Sequence, residues 1–366
     1  MEIINKKRII EIDFLRGVAI LLVLFHHSKI ANIFSNFGWV GVDLFFVLSG
    51  FLVSGILYSE IISTNKLNFI RFLVRRSFKI YPSFYLFLIV TVFIKLYFIR
   101  KGYNNQQFEL TQLFSEIFFT QNYITPIWNH TWSLAVEEHF YIILIILFVI
   151  AFKTRLIFDR LKMRSFFFIL LLLCNILRIF IVYSEDLTLN RNYYPTHIRI
   201  DSLFFGVLLA DLYYFDNKKF VLFISKWKYY LTSLSIILLL PLFFFSRYSV
   251  LINTIGYSLF YLSFGIVLSL FITYHIQSIL QGWIKNYLFH SISYIGFFSY
   301  SIYLWHMIVV DYILPFIQHN FYVNTTPLWI FLISQILLSL LLGIFFAKIV
   351  EMPLLKIREK LFPASF

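Results

Sequence analysis

Charge is scarce in this 366-residue chain: Asp, Glu, Lys and Arg make up only 13% of it, against about a quarter in a soluble domain. Cysteine is scarcer still. The single Cys174 excludes an intramolecular disulfide, and its place in an apolar run argues against a thiolate nucleophile, because burial in lipid disfavours the charged form. Internal repeats, low-complexity tracts and long linkers are lacking. No cleavable leader is expected. Lys6, Lys7 and Arg8 precede an apolar stretch, but that stretch carries Glu11, Asp13 and Arg16 and runs to His26 without a small-residue cleavage site. These absences exclude a water-soluble single domain and a disordered chain.

What is present is apolar. Hydrophobic residues make up 60% and aromatic residues 21%, with a mean hydropathy of +0.81. A spanning helix needs about 20 mostly apolar residues, so ten would use roughly 200. Apolar runs of that length place helices at roughly 9–28, 39–58, 78–99, 133–152, 165–183, 200–215, 229–245, 250–274, 297–317 and 327–349. The sixth is short and holds Asp211, so nine or eleven spans stay open. The expectation is an all-α, polytopic membrane helix bundle, a single domain over 1–366 with no appended soluble domain.

The balance of 31 Lys and Arg against 18 Asp and Glu gives a net charge of +13. In a soluble protein that would suggest nucleic acid. Here basic residues are expected to collect in cytoplasmic loops instead, facing anionic lipid heads. With the N-terminus inside, 22 Lys and Arg fall in inner segments and 6 in outer loops. That asymmetry predicts an even number of spans with both termini cytoplasmic. Tryptophans 39, 128, 132, 283 and 329 fall near predicted span ends, as interfacial anchors do.

Ionisable groups inside spans are costly and mark candidate functional residues. The first span reads IDFLRGVAILLVLFHH, with Asp13, Arg16, His26 and His27. Arg16 and His27 are eleven residues apart, three helical turns plus about 20°, so they share a face about 16 Å apart along the axis. Asp13 is placed to pair with Arg16. Arg16 could instead snorkel to the inner surface while the histidines sit at the outer one. In the second span, GWVGVDLFFVLSGFL puts Asp43 near the outer end, and its glycines read as helix-packing positions.

RFLVRRSFKIYP crowds Arg71, Arg75, Arg76 and Lys79 at the inner boundary, either as flanking charge or as a phosphate clamp. WSLAVEEHFY brings Ser133, Glu137, Glu138 and His139 at the outer start of the fourth span. Three consecutive polar residues cannot all face one cavity. HIRIDSLFFG adds His197, Arg199 and Asp201, and SYSIYLWH adds His306, a hydrogen-bonded core residue or a site member, with Asp311 beyond it. Glu351 closes the last span.

These residues fall in two layers. Arg75, Arg76 and Lys79 lie at the inner surface, with Arg16 deeper; His27, Asp43, Glu137, Glu138, Arg199 and Asp201 lie near the outer one. A substrate with phosphates at one end and a reactive group at the other would match, and coenzyme A has that shape. Histidine with carboxylate suits proton transfer from a hydroxyl. An anion transporter could show the same layers.

The run from Asp13 to His27, then GVDLFFVLSGFL, RRSFKIYP, SLAVEEHFY, RIDSLFFG and SYSIYLWH, resembles the motif series of the acyltransferase-3 family of integral-membrane acyltransferases, over about residues 10–355. The resemblance implies ten membrane helices with cytoplasmic termini. It implies transfer of an acyl group, commonly acetyl, from cytoplasmic acyl-CoA to a hydroxyl of an extracytoplasmic acceptor: O-antigen, capsule or another cell-envelope glycan, and in some relatives a macrolide or lipid. Arg16 and His27 match the family's essential first-helix pair. Arg75, Arg76 and Lys79 match its donor-associated double-arginine motif, with lysine where the last basic position is often arginine. Glu137 matches the glutamate of the fourth-helix motif, and His139 stands where glutamine is usual. Longer relatives carry an esterase-like C-terminal domain.

The resulting expectation is a membrane-bound O-acetyltransferase of the bacterial inner membrane. Acetyl-CoA would be the donor, with no permanently bound cofactor or metal, and a cell-surface polysaccharide, lipopolysaccharide or lipid-linked sugar the acceptor. Lipid bilayer is a partner and nucleic acid is not. His27 is the expected general base, with an acyl-histidine as the less favoured variant. Glu137 or Glu138 orients it or binds acceptor; Arg16, Arg75, Arg76 and Lys79 hold the donor. Asp13, Asp43, Ser133, Arg199, Asp201 and His306 are acceptor-side or structural polar residues. The rival reading is a secondary transporter or flippase of a glycan or lipid-linked substrate, which would be expected to show inverted repeats and interrupted helices.

Overall fold

In hydrocarbon every backbone N–H and C=O must find its partner inside the protein, and an α-helix supplies one within the same segment. The computed structural model describes residues 9–28, 33–101, 108–184, 186–275, 282–321 and 327–363, and these are helices and short turns with no strand among them. We label α1 Ile10–His26, α2 Gly41–Thr64, α3 Phe69–Arg100, α4 Trp132–Lys153, α5 Arg160–Ser184 and α6 Asp201–Phe215. The second half holds α7 Lys228–Leu239, α8 Tyr257–Tyr274, α9 Trp283–Phe297, α10 Ser299–Ile308, α11 Leu328–Phe346 and α12 Met352–Leu361.

The chain is a polytopic, all-α membrane bundle. Among the described residues, seven helical stretches are long and apolar enough to cross a membrane, or eight if Asn217–Lys226 and Lys228–Phe244, bent by 79°, form one span. Each of the ten expected segments is helical, but α1 and α6 have only 17 and 15 residues. The ninth starts earlier than its hydropathy suggests: α9 precedes it and breaks from α10 at Phe298. The loop around position 105, the N-terminal basic run and the side chain of the tryptophan at 283 lie outside the described residues.

α5 presents Phe168, Leu173, Ile176 and Phe180 outward, Phe180 at 67% exposure. In water such a stripe would drive aggregation; against lipid tails it is the expected surface. Inside the bundle, small residues allow backbones to approach. A Cβ on Gly50 of α2 would lie 1.9 Å from the Leu203 carbonyl oxygen of α6, and one on Gly206 2.3 Å from that of Val47. These glycines are packing residues.

The segment before α4 folds into the bundle rather than over it. Glu116, Gln121, Asn122, Trp128, His130 and Thr131 are all buried. One Glu116 oxygen accepts from the backbone N–H groups of Ile127 (3.1 Å) and Trp128 (3.2 Å) and from the Thr131 hydroxyl (2.9 Å). Burial pushes this carboxyl up to about 7, although those hydrogen bonds pull the other way. Because this segment is tucked in, α4 begins beneath a layer of protein.

Candidate active site

Two cavities lie between α1, α2, α4 and α10. The inner one, about 820 Å3 including the space at its mouth, takes Arg16 from α1, Ser49 from α2, Arg76 and Lys79 from α3, Ser133, Glu137 and Glu138 from α4, and Tyr300 and Tyr303 from α10. The outer one, about 420 Å3 including the space at its mouth, takes His26 and His27 from the end of α1, then Trp39, His130, Trp132, Tyr193, Tyr194 and Arg247. Val42 and Tyr303 stand in the walls of both.

Glu137 and Glu138 share the inner cavity with Arg16, not an outer layer with His27 as the sequence suggests. Helix counting from Trp132 assumes that α4 starts at the membrane surface, and the inward-folded segment before it removes that assumption. Adjacent helical residues diverge by 100°, an arc this cavity covers. His139 lies a further 100° round and turns away to Thr196, Nδ1 to Oγ1 2.7 Å. Glu137 Oε2 accepts from Ser49 (3.1 Å) and from Tyr141 (2.5 Å). Glu138 Oε2 accepts from Tyr81 (3.0 Å), while its other oxygen is buried without a partner.

The cations divide. Arg76 sits 5.0 Å over the Tyr141 ring with its buried Nε unpartnered, and neither Arg76 nor Arg16 forms an ion pair among the described residues. Lys79 lies 3.9 Å from Glu351, which a π-helical turn at Ala347–Glu351 carries inward and whose other oxygen accepts from Ser301 (2.7 Å). Arg75 leaves the cavity altogether. It grips Glu359 of α12 with two bonds, 3.1 and 2.8 Å, and also donates to the Phe362 carbonyl.

The outer cavity is built on imidazoles. Ring centroids run His26 to His27 at 5.0 Å, His27 to His306 at 4.9 Å and His306 to His130 at 5.1 Å. Backbone carbonyls set their tautomers, since a carbonyl oxygen can only accept. His27 Nδ1 donates to Val23 (3.0 Å), His306 Nδ1 to Tyr303 (2.6 Å), His26 Nδ1 to Ser35 (2.7 Å) and His130 Nε2 to Leu304 (3.2 Å). In its neutral form His27 therefore keeps the Nε2 lone pair for an incoming proton. His306 Nε2 faces His27 Nδ1 at 3.4 Å. No three of His, Cys, Asp or Glu among the described residues converge as a metal site.

Arg16 and His27 both face α10, one in each cavity. His26 also lines the outer cavity beside His27. α1 stops at His26, and His27 already lies outside helical geometry at ψ 3°. Asp43, Arg199 and Asp201 line neither cavity. Asp43 pairs with Arg199 and Asp201 with Arg178, each at 2.6 Å and fully buried. Asp13 is buried where its backbone meets Gly296 of α9. Ser133 donates to Tyr303 (2.7 Å), whose hydroxyl donates to the His130 carbonyl (2.7 Å), so Ser133 fixes the residue standing between the cavities.

Sequence reasoning missed Tyr303, His130 and Arg247. Tyr303 lies within SYSIYLWH and His130 three residues before Ser133, so proximity to a motif was a usable signal for both. Arg247 appeared only as an outer-loop charge.

A family model described as an acyltransferase domain matches residues 9–348. This chain belongs to the acyltransferase-3 family. It is similar to a Staphylococcus aureus (strain COL) protein provisionally named O-acetyltransferase, 30% identical across 94% of this chain and 57% of the relative. It is also similar to O-acetyltransferase OatA of Staphylococcus aureus (strain NCTC 8325 / PS 47), 28% identical across 96% of this chain and 58% of OatA. This acyltransferase-3 chain thus spans somewhat over half the length of the curated relatives it matches. No solved structure matches it.

Proposed function

We propose that this chain is a multi-pass O-acetyltransferase of the bacterial inner membrane, with both termini cytoplasmic. It would move an acetyl group from cytoplasmic acetyl-CoA to a hydroxyl of a cell-surface polysaccharide or lipopolysaccharide sugar. The observation that carries this reading is a pair of cavities meeting at Val42 and Tyr303. One holds unpaired cations, and the other a histidine with its accepting nitrogen free. Arg16, Arg76 and Lys79 would take the donor's phosphates, since guanidinium and ammonium groups bind them by charge-assisted hydrogen bonds. The pantetheine arm would lie along the inner cavity and bring the thioester to the Val42–Tyr303 junction.

At that junction the acceptor hydroxyl loses its proton to His27 Nε2 as its oxygen attacks the thioester carbonyl. The C–S bond then breaks, and the thiolate leaves and takes up the proton. The Nδ1–H bond to the Val23 carbonyl holds the ring and strengthens as the imidazole becomes cationic. Glu137 and Glu138 sit on the donor side of the junction, where they shape the inner cavity rather than orient His27.

The test uses the purified chain in lipid nanodiscs. Thiol release from acetyl-CoA is measured with and without cell-envelope glycan, alongside mass analysis of the glycan. Release that depends on glycan, and disappears in His27→Ala, is expected. Uptake or flipping of glycan with no thiol release would replace this reading with the transporter one.

A further inference from the structure

The outer cavity contains a cation that the chemistry above does not use. Arg247 lies beside the histidines, its guanidinium 3.9 Å over the Tyr193 ring and 5.4 Å over that of Trp39. Stacking of this kind covers the faces of the planar group and leaves its N–H edge free. That edge makes no hydrogen bond or ion pair to the protein among the described residues, and its Nε is buried without a partner. The backbone is fixed too, because Asn253 donates to the Arg247 carbonyl at 2.8 Å.

The neighbouring arginines behave otherwise: Arg199, which also lies over Tyr193 and Tyr257, ends on Asp43, and Arg178 ends on Asp201. An oriented, partly desolvated guanidinium without a counter-charge is a poor stabilising element and a good anion receptor. The space around it, about 420 Å3 including its open mouth, is lined by Trp39, Trp132, Tyr193 and Tyr194. Its Trp and Tyr walls suit the C–H faces of a sugar ring.

We infer that Arg247 forms an anion subsite, so that the outer cavity takes a negatively charged glycan. The anion, a ring carboxylate or a phosphodiester, is held by Arg247 while a hydroxyl of the same or adjoining sugar faces His27. This rests on the reading of the outer cavity as the acceptor side, but it is testable without any transfer reaction.

Binding to the full chain in nanodiscs is followed by tryptophan fluorescence, since Trp39 and Trp132 line the cavity. The probes are tri-galacturonate, its neutral galactose counterpart and a short glycerol-phosphate oligomer. Wild-type protein should bind at least one charged probe about 10- to 100-fold tighter than the neutral one, the worth of a charge-assisted bidentate contact. Arg247→Gln should remove that preference and leave neutral-probe and coenzyme A binding unchanged, which also shows that the variant is folded. Whether the carboxylate or the phosphodiester probe gains identifies the anion. Equal binding of all three probes, or a charge preference that survives Arg247→Gln, overturns the inference. Arg247-dependent binding without acetyl transfer would keep the subsite and discard the enzymatic reading; transfer indifferent to acceptor charge would do the reverse.

Discussion

Two sets of arginines occupy this bundle, and they differ in what lies at their ends. Arg178, Arg199, Arg160 and Arg164 reach the carboxylates of Asp201, Asp43 and Asp211 at 2.6 to 2.8 Å. Arg16, Arg76 and Arg247 reach none among the described residues, and each lines a cavity. A charge inside a membrane protein is tolerated when a partner or water meets it. Where the partner is part of the chain, the charge fastens helices together; where it is not, the function proposed above gives the charge a ligand to meet.

The sharpest break of that contrast is Asp43→Ala. It would leave Arg199 charged and buried, and losing one member of such a pair costs about 3–5 kcal/mol. The expected outcome is a large fall in unfolding temperature and membrane yield; an unchanged unfolding temperature would place Arg199 among the ligand-binding set.

His27→Ala is expected to leave the unfolding temperature in place and lower acetyl transfer by about 10²–10⁴, the usual worth of a general base. His26→Ala should lose much less, because its ring reaches the neighbouring Ser35 carbonyl rather than the His306 side. Equal losses measured in matched membrane preparations would make the two histidines one functional unit.

Glu116 is the acidic counterpart, a buried carboxylate held by N–H and O–H groups. Its pKa rises from 4.5 to about 7 on folding, so between those values the folded state binds the extra proton. Stability from this group is therefore greatest below about pH 4.5, falls as pH rises through 7 and is flat above. Thermal unfolding across pH 5–8 should show that decline, and Glu116→Gln should flatten it.

The smallest effects compare adjacent arginines. Arg76→Glu should raise the acetyl-CoA concentration needed for half-maximal rate about tenfold or more. Arg75→Gln should leave donor dependence alone and cost at most about 1 kcal/mol of stability, as a part-exposed ion pair does. An Arg75 variant that weakens donor use as much as an Arg76 variant would erase the distinction.

Much of the helical architecture was readable, because hydrophobic length is a property of each segment alone. α1 and α6 were harder to delimit because polar residues interrupt their apolar runs. Arg16 and His27 could be named from their cost in lipid, Arg76 and Lys79 from the basic cluster at the inner boundary and the family resemblance, and the structure brings all four to the cavities. Arg75 and Arg76 look alike in sequence; only the return of α12 to α3 gives one of them Glu359. Glu137 was misplaced in depth because the burial of Thr131 and Trp128 depends on Glu116, a contact that hydropathy does not report. Arg247 was legible only as a loop charge, since its distinction is the lack of a partner.

The junction at Val42 and Tyr303 bears on the integrity of the membrane itself. A bundle with a cavity toward each face has a septum where the two approach, and here both cavities share the same two side chains. In the proposed reaction such a septum would let a two-carbon group change carriers while small ions would meet Tyr303, held by Ser133 and the His130 carbonyl. On that proposal, electrical leak and group transfer would be coupled through one tyrosine. Tyr303→Ala should open a conductance measurable in planar bilayers, and the same opening would admit water to hydrolyse the thioester. On the proposed reading, closure at Tyr303 would serve insulation as much as catalysis.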